Sequence, residues 1–283
     1  METIGKHKIW SLYNSNSADV ARNSDIRKGP GYYVKSYWEL VAKVAELQFL
    51  NRDYVFLFRG QSNDFKNSKG NSSLKPTLFR PLKNGNPSQP TLLSRFYNLK
   101  RAEIELLSLY RQSKLIGIER LERHRVLRWS ILQHYEVCPT PLLDVTQSLR
   151  IAASFASIDH EEAFIFVLGV PNISGAITAS AEAGVQIVRL SSVCPPAALR
   201  PHMQEGYLLG EYPELWDYEQ KELYRHYEID FGRRLIAKFR FDPKTFWKKD
   251  TFPKVAKQAL FPSADRDPLN QVAQGIKELI PGI

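Results

Sequence analysis

The sequence predicts an α+β fold, a mixed central β-sheet carrying a basic helical layer. Three observations support this. Apolar runs of strand length recur at residues 54–61, 163–170, 185–190 and 234–241. Segments 37–50 and 91–133 instead repeat their apolar residues at helical spacing. The two kinds alternate without the regularity of βαβ units, which argues against a doubly wound parallel sheet.

In chain order, residues 1–35 form a lead-in rich in Ser, Asn, Gly and aromatic side chains, with a short strand expected at Ile9–Leu12 and a breaker at Gly29-Pro30-Gly31. Residues 36–283 are expected to form the α+β domain. Ser36 with Glu39 three residues on is a capping box, so a helix is predicted over 37–50. Tyr54 to Gln61 reads as a strand buried on both faces and ending in Arg59-Gly60. Polar loops follow at 66–75 and 83–90, with Leu74 to Arg80 re-entering the core between them and bringing a second arginine. Residues 91–133 are read as two helices, or one bent one, broken near Gly117.

After residue 160 the pattern turns to strands at 163–170 and 185–190, joined by a Gly/Ser/Ala stretch. Residues 212–227 are acidic, aromatic and irregular, a partly helical or lid-like segment. Residues 234–241 alternate polar and apolar and predict a half-buried strand. Helices are expected over 251–260 and 267–280, the second with Asp267 as N-cap and Pro268 at its first position.

Composition narrows the class. The formal charge is +9, with no apolar run of eighteen residues and no signal-peptide pattern, so a cytoplasmic protein that makes no membrane contact is expected. Two cysteines without CxxC pairing suggest neither a disulfide framework nor a zinc site. The basic excess is partly local, at Arg95 to Arg128, a surface suited to a nucleic-acid or protein acceptor but more simply explained as a solvated face.

The chemistry concentrates in Gln133 to Ser148, which carries an amide, an imidazole, a phenol, a carboxylate and hydroxyls between two apolar patterns. Asp144, Thr146 and Ser148 share one face of an extended segment, and Ser148 or Thr146 can cap the Ala-rich helix that follows. A capping motif accounts for these residues. So does an anion site at a strand end and helix N-terminus. His134 can act as acid or base, or be a satisfied structural residue. Arg59 can pair with a carboxylate at the rim or grip a pyrophosphate.

Phe58-Arg59-Gly60-Gln61 together with Gln133-His134-Tyr135, Pro139-Thr140, Leu142-Leu143-Asp144-x-Thr146 and Ala153-x-Phe155-Ala156 resembles the FRG domain family. Met203 to Tyr207 and Leu260 to Ser263 look like that family's downstream elements. The chain departs from the family pattern at Glu136, where glycine is usual, at Pro141, where arginine is common, and at Val145, where tryptophan is common. A second likeness is to ADP-ribosyltransferases, through Arg59-Gly60 and the Asp144-x-Thr146-x-Ser148 strand leading into Phe155-Ala156.

That likeness implies an ADP-ribosyltransferase or NAD glycohydrolase, a toxin or defence effector with NAD as substrate and no metal. Arg59 would hold phosphate, Thr146 and Ser148 would shape the nicotinamide pocket, and Gly60, Gln133 and Gln204 would complete the NAD contacts. Glu205, on a later strand, or Asp144 would stabilise the cation, with His134 as acid or base. The alternative is a non-catalytic nucleotide or nucleic-acid binding module. Hydrolytic nuclease action through Asp144, His134 and Glu205 lacks metal-ligand spacing.

Overall fold

The computed structural model describes residues 1–4, 8–13, 16–82, 85–159, 161–224, 227–247 and 252–282. Its strands are β1 (Ile9–Ser11), β2 (Asp19–Ala21), β3 (Tyr32–Tyr33), β4 (Val55–Gln61), β5 (Leu143–Thr146), β6 (Ala163–Val170), β7 (Ile177–Ser180), β8 (Val185–Arg189), β9 (Gly206–Glu211) and β10 (Leu235–Phe241). Its helices are α1 (Asn23–Lys28), α2 (Tyr37–Leu50), α3 (Gln89–Gln112), α4 (Ile118–Arg123), α5 (Arg125–His134), α6 (Leu149–Ala156), α7 (Leu190–Val193), α8 (Leu199–Met203), α9 (Tyr218–Glu222), α10 (Pro243–Phe246), α11 (Lys257–Leu260) and α12 (Pro268–Leu279). The fold is α+β. The chain divides into two compact units, and the boundary passes through β5.

The first unit comprises Met1–Leu74, Val145–Ile173 and Asp230–Ala259. Its sheet is mixed: β3 runs parallel to β10, while β10 with β6, β6 with β4, and β4 with β5 are antiparallel. β6 is buried along its whole length, as an uninterrupted apolar run requires. α6 lies against β4 at Gly60, where an added Cβ would stand 1.9 Å from the Ala152 carbonyl oxygen. Glycine at 60 is therefore what lets helix and strand backbones touch.

β10 is buried on both faces rather than half-buried, because its alternating polar position turns inward. Lys238 Nζ sits 2.5 Å from Asp64 Oδ2 and 2.7 Å from Ser72 Oγ. Burial lowers the Lys238 pKa, and the Asp64 carboxylate opposes that shift. The lead-in is tied down as well: Arg27 meets Asp230 at 2.6 Å, and Asp230 also accepts from the Leu74 and Gly232 amides. Ser36 caps α2 as expected, while Glu39 reaches back to the Lys35 amide at 2.8 Å.

The second unit comprises Lys75–Asp144, Ser174–Ile229 and Leu260–Ile283. A β7-β8-β9 antiparallel meander and the helices α3, α5 and α12 enclose one apolar cluster that includes Phe96, Tyr110, Trp129 and Ile276. Glu103 is buried among them and accepts from Trp129 Nε1 at 2.8 Å and Arg128 Nε at 2.7 Å. Part of the basic excess is thus internal to the helical layer.

Several sequence expectations need correction. Residues 91–133 form three helical pieces, with a second break at His124. No Gly or Pro marks that break; Arg128 Nη1 satisfies the end of α4 by donating to the Leu121 and Glu122 carbonyls. The stretch after β6 contains β7, a short, partly exposed strand whose alternation is too weak to read. The expected helix over 251–260 is helical only at 257–260, beyond Pro253; Thr251 lies outside the described residues. Asp267 caps α12 as predicted.

Candidate functional site

In the second unit the Gln133 to Asp144 stretch builds a polar network around one carboxylate. α5 ends at His134, and the chain turns at Glu136, whose φ of 54° explains why glycine is the usual residue of the resembling pattern. Arg200 meets the Glu136 carboxylate at 2.7 Å. The turn returns the chain to β5 with Gln133 and His134 both facing Asp144.

The hydrogen-bond directions can be deduced. Thr77 Oγ1 accepts from the Thr140 amide at 3.0 Å, and Thr140 Oγ1 accepts from the Leu142 amide at 3.2 Å. Each hydroxyl proton then points to Gln133 Oε1, at 2.8 Å from Thr77 and 2.6 Å from Thr140. With its oxygen so engaged, Gln133 presents Nε2 to Asp144 Oδ2, donating at 2.7 Å. A relay of aligned donors thus runs from the backbone to the carboxylate. Its middle is buried, Thr140 being 0 % and Gln133 5 % exposed, while Thr77 at its start is half-buried.

His134 Nδ1 lies 3.3 Å from the other carboxylate oxygen, Oδ1. The two side chains differ in access: His134 is 3 % exposed and Asp144 34 %. His134 packs edge-on to Tyr135, and an added Cβ at Gly206 would stand 3.2 Å from its Cε1. Its Nε2 is buried and has no hydrogen-bond partner among the described residues. Compared with a Ser-His-Asp triad, access is reversed: the carboxylate meets solvent and the imidazole is sealed behind it. Gln133 and His134 thus hold the two oxygens of a carboxylate that stays accessible.

Arg80 is a group that motif reading did not assign. It is exposed, yet burial by surrounding protein lowers its pKa, and the nearby Asp144 carboxylate pushes the other way. Its Nε donates to the Lys75 carbonyl at 3.1 Å, and Arg95 Nη1 donates to its own carbonyl at 3.1 Å. The signal in the sequence was an arginine closing the apolar run Leu78-Phe79.

The remaining expected residues are placed as follows. Glu205 is exposed with φ of 44°, in the turn before β9 rather than on a strand, next to the Gly206 that packs on His134. Gln204 is buried and donates to the Leu260 carbonyl at 2.7 Å. In the first unit, Phe58 pairs directly with Thr146, so Arg59 belongs to the other pleat face of β4 from that pair. Gly60 admits the backbone of α6. Thr146 Oγ1 accepts from the Ser148 amide at 3.0 Å, and Ser148 Oγ caps α6 through Ile151. Both hydroxyls therefore make the local bonds of a helix start.

The cysteines are not thiolates. Burial pushes Cys138 up to about 12 and Cys194 further in the same direction. Tyr135 is likewise raised, by burial and by Asp267, which accepts from its hydroxyl at 2.9 Å. Among the described residues no group of three or more His, Cys, Asp or Glu is placed to hold a metal ion, and no helix is long and apolar enough to cross a membrane.

Residues 54–163 match the family model described as FRG domain. The match includes Arg59, Arg80 and the whole Gln133 to Ser148 stretch, and ends before Gln204 and Glu205. No curated protein and no solved structure matches the chain.

Proposed function

We propose, from the match of residues 54–163 to the FRG domain model, that the protein cleaves the nicotinamide–ribose bond of NAD, with Asp144 as the carboxylate that faces the ribose. The observation that carries the reading is the oriented, half-open carboxylate: Gln133 and His134 hold its two oxygens while 34 % of the side chain meets solvent. In this reaction the carbon–nitrogen bond breaks, nicotinamide leaves with the bonding pair, and positive charge develops at the ribose. A fixed anion stabilises that charge without reorganising as it forms. Water or an acceptor nucleophile then bonds to the same carbon and loses a proton.

Arg80 is proposed to hold a phosphate of NAD, as the accessible guanidinium that shares an electrostatic environment with Asp144. Glu205 keeps the acceptor-orienting role that the transferase likeness implies. The acceptor, nucleic acid or protein, would approach the basic helical layer.

A second reading is non-catalytic nucleotide binding. The engagement of Thr146 and Ser148 with backbone amides favours it, because those hydroxyls then serve the fold. Incubation with NAD separates the two: nicotinamide release that disappears in Asp144→Asn supports cleavage, and saturable binding without release supports the module. Absence of both would refute each reading.

A further inference from the structure

α3 carries two parallel seams. The inner one, Leu92, Phe96, Leu99, Glu103, Leu106 and Tyr110, is buried and builds the core of its unit. The outer one lies one residue further on at every step: Leu93, Tyr97, Lys100, Ile104, Leu107 and Arg111, spaced four, three, four, three and four residues apart, with Leu107 partly buried against the core cluster. That is the heptad spacing by which one helix receives another. Ordinary surface helices turn charged residues to water on the face away from their core. Here Leu93 is 44 %, Tyr97 63 % and Ile104 66 % exposed.

The two charged residues on this seam are cations, Lys100 and Arg111, the second paired with the Glu122 carboxylate of α4. Arg101 flanks the seam with its guanidinium over the Tyr97 ring at 5.9 Å, and Glu103 is turned into the core. Trp216, 41 % exposed, continues the apolar surface beside Lys100, whose Nζ lies 5.8 Å from the ring centroid. Two copies joined through this seam would set cation against cation. A helix with an apolar stripe edged by carboxylates would fill the same surface and match its charge.

We propose that the outer seam of α3 is the docking surface for an acidic amphipathic helix of a partner protein, with Leu93, Tyr97 and Ile104 as apolar anchors and Lys100 and Arg101 setting the charge preference. The test reads peptide binding at α3 and not nicotinamide release, so its outcome does not depend on the NAD reading.

The test uses the full chain and two synthetic helical peptides of three heptads, both with leucine at the seam positions and with glutamate or lysine at the flanking ones, followed by fluorescence anisotropy. The glutamate peptide is expected to bind. Its affinity should fall at least about tenfold in Ile104→Glu, the loss of one central anchor. The double variant Lys100→Glu, Arg101→Glu should reverse the preference toward the lysine peptide. These are exposed positions, and unchanged circular dichroism verifies the fold. Equal binding of both peptides, no binding of either, or indifference to Ile104→Glu would overturn the proposal. So would a wild-type dimer in sedimentation that Ile104→Glu dissolves, or single-stranded RNA binding lost in the charge-reversed double variant while the peptides fail.

Discussion

Replacing Gln133 by leucine tests the relay directly. The change keeps the volume and removes the acceptor of two hydroxyl protons and a donor to Asp144. Thr77 can redirect its proton to the Thr140 carbonyl, 3.3 Å away, so its loss is small. Thr140 is fully buried and loses the target of its proton, a cost of about 1–2 kcal/mol; the bond to the Asp144 carboxylate adds about 1.5–3 kcal/mol. The expected total is about 3 kcal/mol, read as a lowered urea midpoint at constant m-value. In a double-mutant cycle with Asp144→Ala, about 2 kcal/mol should appear as coupling. A cost below about 1 kcal/mol with no coupling would refute the oriented relay.

Three further outcomes follow from the first unit. Gly60→Ala should destabilise by about 3 kcal/mol or prevent folding, because the new methyl meets the Ala152 carbonyl at 1.9 Å; near-wild-type thermal unfolding would contradict the packing. Asp230→Ala leaves Arg27 buried without its carboxylate and strips the acceptor from two amides, so denaturant unfolding should show a loss of about 3–5 kcal/mol. Lys238, with its folded pKa below 10.5, binds fewer protons folded than unfolded in the interval between those two values. Unfolding free energy should therefore rise with pH as 10.5 is approached, and Lys238→Met should remove that rise.

The elements legible in the sequence were those fixed by local chemistry. Ser36 and Asp267 announce their helices through bonds within one turn, and β4 and β6 are long apolar runs that need no partner to be recognised. The polar motif was legible as a site by composition, since amide, imidazole and carboxylate are costly to place in a core unless bonded. The direction of the His134–Asp144 pair was not, because which member is sealed depends on Gly206, far along the chain. Arg80 was missed for the same reason: its relation to Asp144 exists only after folding. Lys238 was read as a solvent-facing position because alternation reports polarity, and only Asp64 and Ser72 reveal that the polar side is also closed.

The most direct measurement of the central claim is nicotinamide release from NAD by the purified chain, beside Asp144→Asn and Gln133→Leu variants shown to be folded. The account predicts release by the wild type, loss in Asp144→Asn, and a reduction in Gln133→Leu through misplacement of the same carboxylate. Release unchanged in Asp144→Asn, or neither release nor NAD binding by the wild type, would contradict it.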